Sequence, residues 1–230
     1  TKSLDWSYNQ QGGIQKIAMN PLNPKTLYAA TTEGFFKTFD AGATWSNILS
    51  VTMGEDIVIN GGDTNLVMIS AGNFAQNPLI YKSTTGGAVW IDVTPTTFSG
   101  KALLAGYEAD PSIVFASIGD STTGVGGLWR TTNFGDSWTQ VSNSTTNGIW
   151  GVQGWYSHYV AVHPTDANLV IHNAVGMSKS TNGGVSFVPV SGGYSDNHGF
   201  AIHPVNRNIV YTANDDGIYR STDFGTNWTD

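Results

Sequence analysis

The chain has 230 residues, 40% of them hydrophobic and 12% aromatic, with only 12% charged and a net charge of −7, a profile of one large all-β domain or two small ones. An acidic chain without a Lys/Arg run has no basic face to displace counterions from phosphate, which excludes nucleic acid as a partner. The absence of cysteine removes a disulfide framework, thiolate metal sites and a thiol nucleophile.

The opening segment TKSLDWSYNQ places Leu4 and Trp6 on one face of an extended stretch. From Ile14 the text becomes regular. IQKIAMNPLNPKTLYAAT reads as two apolar strands around a proline turn, GFFKT as a third strand, KTFDAGATW (37–45) as a hairpin turn, and SNIL as a fourth strand. The series then repeats. DIVINGGDTNLVMISA leads to LIYKS, KSTTGGAVW (82–90) and IDVT; ALLAGYEADPSIVFAS leads to GLWRT, RTTNFGDSW (130–138) and TQVS. After the aromatic connection GIWGVQGWYSHY come YVAVHPTDANLVIHNA, GMSKS, KSTNGGVSF (179–187) and VPVS, and finally GFAIHPVNRNIVYTAN, GIYRS and RSTDFGTNW (220–228). The unit recurs about every 45 residues, with repeats near 12–50, 51–98, 99–145, 156–191 and 197–230. Four antiparallel strands cannot bury both faces alone, so the copies stack, and the expected fold is a single all-β β-propeller region spanning 1–230 with about five four-stranded blades.

Each box has the same chemistry. A hydroxyl stands first (Thr38, Ser83, Thr131, Ser180, Ser221) and a short polar side chain third (Asp40, Thr85, Asn133, Asn182, Asp223), both able to hold turn amides. Glycine stands fifth (Gly42, Gly87, Gly135, Gly184, Gly225), where a Cβ is penalised. An aromatic closes the box (Trp45, Trp90, Trp138, Phe187, Trp228) and is expected to pack into the sheet. Thr85 is the weakest acceptor of the five.

These boxes resemble the Asp-box (BNR) repeats of sialidases, sortilin-type receptors and xyloglucanase-type glycoside hydrolases, and the resemblance covers essentially the whole chain. The last two repeats are most similar to sortilin-like modules of large secreted or cell-surface bacterial proteins. The resemblance implies a secreted or cell-surface location. It also implies an arc of a larger ring of roughly six to ten blades rather than a closed five-bladed disc, and the start at Thr1 is read as excision or processing from something longer. Closure would instead require residues 3–8 to lie beside the last strand.

A sialidase-like site needs three converging arginines. Arg130 and Arg220, however, share the position before a box that Lys37, Lys82 and Lys179 fill elsewhere, a structural address that leaves Arg207 alone. A xyloglucanase-like site needs two carboxylates across the scissile bond; candidates are Glu33, Glu55, Asp56, Glu108, Asp120, Asp196, Asp215 and Asp216, of which Glu33 and Asp216 occupy equivalent turns. His158 and His198, like His163 and His203, are repeat-derived pairs, and His172 on an apolar strand reads as a satisfied, half-buried residue. The turn Asn214–Gly217 has hard oxygens for calcium, but Asx-turn chemistry explains it equally well; no cofactor is expected. Asn143 and Asn227 lie in glycosylation sequons. The ligand-contact candidates are Trp150, Trp155 and Tyr156, with His158 and His198 beside them. The function expected from this reading is a noncatalytic propeller that binds a glycan or a protein partner or serves as a scaffold, with no membrane span; a fragment of a xyloglucanase-type or sialidase-like glycoside hydrolase is the alternative.

Overall fold

The computed structural model describes residues 13–73, 79–145, 153, 156, 158–191 and 196–229. All regular structure among them is β. Blade 1 is β1 (Ile14–Asn20), β2 (Asn23–Thr31), β3 (Gly34–Thr38) and β4 (Ser46–Leu49). Blade 2 is β5 (Gly54–Ile59), β6 (Val67–Ala71), β7 (Leu79–Ser83) and β8 (Ile91–Asp92); blade 3 is β9 (Ala102–Gly106), β10 (Val114–Gly119), β11 (Gly126–Thr131) and β12 (Thr139–Asn143). Blade 4 is β13 (Tyr159–His163), β14 (Asp166–Asn173), β15 (Met177–Ser180) and β16 (Val188–Pro189). Blade 5 is β17 (Asn197–Ile202), β18 (Val210–Asn214) and β19 (Gly217–Ser221), its fourth position filled by a bridge from Thr229 to Arg220. Each blade is an antiparallel meander, and the first strands of successive blades pack on one another in chain order. They surround the axis of a β-propeller.

The boxes are the hairpins between third and fourth strands. Thr38 Oγ1 accepts from the amides of Asp40 and Gly42, and the Asp40 carboxylate accepts from the Thr44 amide. The same three bonds recur on Ser83 and Thr85, Thr131 and Asn133, Ser180 and Asn182, and Ser221 and Asp223. The fifth-position glycines all have positive φ, from 78° to 95°, a region that costs a side chain roughly 1–2 kcal/mol. Hydrogen bonds from Thr38 and Thr44 hold the Asp40 carboxyl down at about 2. Burial works against ionisation of Asp223, but bonds from Asn227, Ser221 and Thr226 outweigh it and bring its pKa to about 2 as well.

The closing aromatics depart from expectation. Phe187 is buried, but Trp45, Trp90, Trp138 and Trp228 are only half-buried, and Trp90, Trp138 and Trp228 pack against the core clusters from their edges. Trp45 Nε1 donates to the Gly42 carbonyl at 3.2 Å.

The core is four separate clusters, one at each blade–blade joint. The cation before each of the first four boxes reaches forward into the next blade's box. Lys37 Nζ donates to the Gly86 carbonyl at 2.7 Å, Lys82 Nζ pairs with Asp136 at 2.6 Å, and Lys179 Nζ donates to the Asp223 carbonyl and to Thr226. Arg130 lies beside Gly183 in the same way. The three arginines therefore do not converge: Arg207 sits in a turn of blade 5, paired with Glu108 of blade 3 at 3.0 Å.

Buried polar networks tie blades 3, 4 and 5. Ser117 Oγ bridges His158 Nδ1 and His172 Nε2, both at 2.9 Å. His172 is thus fully buried rather than half-buried, and its Nδ1 is left without a partner. Burial pushes His172 down to about 4 and His158 well below its ordinary value. A histidine whose folded pKa lies below the unfolded 6.5 takes up its proton preferentially on unfolding, so it is neutral to stability above 6.5 and costs stability as the pH falls from there toward 4. Acidification from pH 7.5 to 5 should therefore lower unfolding free energy, and His172→Leu should reduce that loss by roughly 2 kcal/mol in urea titrations. Equal losses in wild type and variant would contradict the assignment.

Candidate functional site

One end of the molecule brings Lys16, Glu55, Asp56, Lys101 and His198 together around a single cavity. It is the end where the first strand of each blade begins and where the second strand turns into the third, opposite the boxes. The ladders of blades 1, 2 and 5 carry the same irregularity there, a register shift between Ile14 and Lys16, between Gly54 and Asp56, and between Asn197 and Gly199. A bulge breaks strict alternation. Two consecutive residues of each of these strands, Gln15 and Lys16, Glu55 and Asp56, His198 and Gly199, line one axial cavity.

That cavity, about 330 Å³, is walled by the first strands of all five blades, with Lys101, Leu103, Leu104, Tyr159 and Phe200 completing it. A second recess of about 430 Å³ continues from Lys16, Asp56 and Leu104 along blades 1–3. Glu55 and Asp56 of blade 2 are both buried. Asp56 is fully engaged: Lys16 Nζ stands 3.2 Å from Oδ1, which also accepts from the Ile57 amide, and Oδ2 accepts from the Leu104 amide of blade 3. The Asp56 charge holds the Lys16 ammonium above its usual range.

Glu55 is held loosely, its nearest cation being Lys101 at 3.8 Å. Burial raises its carboxyl to about 7; Lys101 opposes this and the Asp56 charge reinforces it. The cavity thus holds a carboxyl that keeps its proton to neutrality beside a carboxylate clamped by an ammonium and two amides. A protonated acid can donate to a hydroxyl or ether oxygen, and the carboxylate can accept from one.

His198 and Tyr156 stand at the rim. His198 Nε2 lies 2.9 Å from Asp215, and the Tyr156 ring, 43% exposed, meets the imidazole edge-on at 4.8 Å. Of the other ligand-contact candidates, Trp150 and Trp155 lie outside the described residues. His158 is corrected: it is buried under blade 4, bonded to Ser117, and unavailable to a ligand. Glu33 and Asp216 sit in equivalent second-to-third-strand turns. In the Asn214–Gly217 turn the Asn214 Oδ1 is taken by the amides of Asp216 and Gly217. No group of three or more metal-ligating side chains occurs among the described residues, and no helix there is long and apolar enough to cross a membrane.

No family model matches the chain. It is similar to a xyloglucanase from Paenibacillus sp, 24% identical over 98% of this chain and 27% of that protein, and to one from Hypocrea jecorina, 26% identical over 94% and 25%. The chain therefore spans about a quarter of the length of these relatives. Among solved structures it resembles an ancestral GH74 enzyme (TM-score 0.73, 20% identity, 94% of this chain and 30% of that one). It also resembles YCF48 bound to D1 peptide (TM-score 0.61, 16% identity, 96% and 66%). At these identities the structural likeness establishes the β-propeller fold.

Proposed function

We propose that the chain is a glycan-binding propeller of the xyloglucanase kind, built from Asp-box repeats and belonging to a secreted protein, and that it holds a β-glucan chain across the axial end. The observation that carries this reading is the cavity lining: the buried Glu55, Asp56 clamped by Lys16 and two amides, and His198, with Tyr156 packed edge-on against that imidazole. Hydroxyls of a saccharide both donate and accept, and aromatic faces stack on its apolar ring face. The two xyloglucanase relatives support the substrate class.

Binding by calorimetry of xyloglucan oligosaccharides tests it. Because Glu55 donates only while protonated, affinity should be constant below about pH 6 and fall as pH rises through about 7. Glu55→Gln, which keeps a donor at every pH, should flatten that dependence, and Tyr156→Ala should weaken binding about tenfold. Binding that ignores both changes would refute the site.

A second reading is hydrolysis. The pairing of one protonated carboxyl with one carboxylate is what glycoside hydrolysis uses, a proton donor to the leaving oxygen and a base or nucleophile opposite. Here Glu55 would be the donor, while Asp56, its oxygens held by Lys16 and two amides, would supply fixed negative charge beside it, and the base would come from another group. Release of reducing ends from xyloglucan, abolished by Glu55→Gln, would select this reading over simple binding.

A further inference from the structure

Hydrolysis needs a base as well as the Glu55 donor, and most of the titratable groups lining the axial cavity are already committed elsewhere. Asp56 has both oxygens occupied, one by Lys16 and the Ile57 amide, the other by the Leu104 amide. Lys16 faces Asp56 as an ammonium, and Lys101 faces Glu55 at 3.8 Å. The Tyr159 hydroxyl is held between Thr212 and Asn173, and burial raises its pKa far above the ordinary range. The remaining titratable group of the lining is His198.

His198 is set up differently. Its Nε2 stands 2.9 Å from Asp215 Oδ1. A carboxylate only accepts, so Asp215 keeps the ring proton on Nε2 and leaves the lone pair on Nδ1. That nitrogen has no partner among the described residues. Tyr156 braces the ring edge-on at 4.8 Å, and the side chain is 38% exposed, so water reaches it. His158, at the same position of the preceding repeat, has spent its Nδ1 on Ser117 in a sealed interior. In blade 5 the equivalent imidazole lines the cavity with that nitrogen unspent.

Glu55 complements it. Its carboxyl is buried in the same cavity, its nearest cation is beyond hydrogen-bond distance, and it has no hydrogen-bond partner among the described residues. Donor and imidazole thus line one cavity from two blades, 2 and 5. Displacement by water needs its acid and its base on separate sides of the scissile bond.

We propose that His198, oriented by Asp215, is the base of this site. The assignment rests on the hydrolytic reading and supplies the group that reading lacks. Nδ1 takes a proton from a water whose oxygen bonds to the anomeric carbon. The bond from that carbon to the leaving sugar breaks with its electron pair on the leaving oxygen, which takes the Glu55 proton. The step ends with His198 as an imidazolium against the Asp215 carboxylate and with Glu55 as a carboxylate facing Lys101. Solvent then carries the proton from the imidazolium back to Glu55.

The test is reducing-end release from a xyloglucan oligosaccharide by the wild-type chain and by His198→Ala, His198→Gln, Asp215→Asn and Glu55→Gln. His198→Ala should lower kcat about 100-fold or more with KM within about threefold of wild type. His198→Gln, which keeps a polar side chain of similar size, should do the same. Added imidazole should restore His198→Ala but not Glu55→Gln, a rescue that a merely structural histidine would not show. Asp215→Asn should lower kcat and move the acidic limb of the pH profile to lower pH, because the imidazolium loses its counter-charge, while the alkaline limb set by Glu55 stays in place. An unchanged kcat in both His198 variants, or a loss in His198→Ala that imidazole does not reverse, overturns the assignment; the hydrolytic reading then still stands if Glu55→Gln is inactive. No release by the wild-type chain removes that reading and the base with it.

Discussion

Gly225→Val should be among the most damaging single changes in the molecule, lowering stability by about 2–5 kcal/mol. The turn holds φ at 78°, which a β-branched residue adopts only at a cost of roughly 1–2 kcal/mol. The added Cβ would also meet Ile171 at 2.6 Å and Trp228 at 3.2 Å, and overpacking of this kind costs about 1–3 kcal/mol more. Gly42→Val provides the control. Its φ of 91° carries the same backbone penalty, yet nothing nearer than Trp45 at 3.7 Å opposes it, so it should cost only the first part, roughly 1–2 kcal/mol. Chemical denaturation of both variants decides: equal losses would mean that the glycines serve the turn alone and not the joint.

The second large effect is expected at Asp56. Its carboxylate satisfies the buried amides of Ile57 and Leu104 and faces the Lys16 ammonium, so it bonds blade 2 to blade 3 and salt-bridges blade 1. Asp56→Ala leaves the Leu104 amide without this acceptor and should destabilise by about 2–4 kcal/mol. Asp56→Asn retains an acceptor oxygen and should lose clearly less. A melting temperature of Asp56→Ala equal to wild type would show that the carboxylate is not part of the blade contacts.

These two cases mark how far the sequence carries. The repeat was legible because each blade needs the same few residues at fixed offsets: a hydroxyl to hold two amides, an acceptor two places on, a glycine, an aromatic. That periodicity yields the fold. It hides the second role of the glycine, because contact with the preceding blade involves residues such as Ile171, roughly one repeat period upstream.

The axial cavity was less legible. Alternation along a strand sends Glu55 and Asp56 to opposite faces, yet both line the axial cavity, beside a bulge at Gly54–Asp56. A bulge leaves no mark in composition beyond the glycine at 54, which resembles any turn glycine. His158 and His198 share a repeat position, yet one is sealed against Ser117 and the other stands at the rim beside Tyr156. The difference lies in what neighbouring blades present, not in the histidines.

The most direct measurement of the central claim, that the axial end is the glycan site, is amide chemical-shift mapping of the ¹⁵N-labelled chain titrated with a xyloglucan oligosaccharide at pH 6. Shifts should concentrate at Gln15, Lys16, Glu55, Asp56, Tyr156 and His198, with the boxes at Asp40, Asn133 and Asn182 undisturbed. Shifts confined to the box end or the outer strands, or none at saturating ligand, would contradict it.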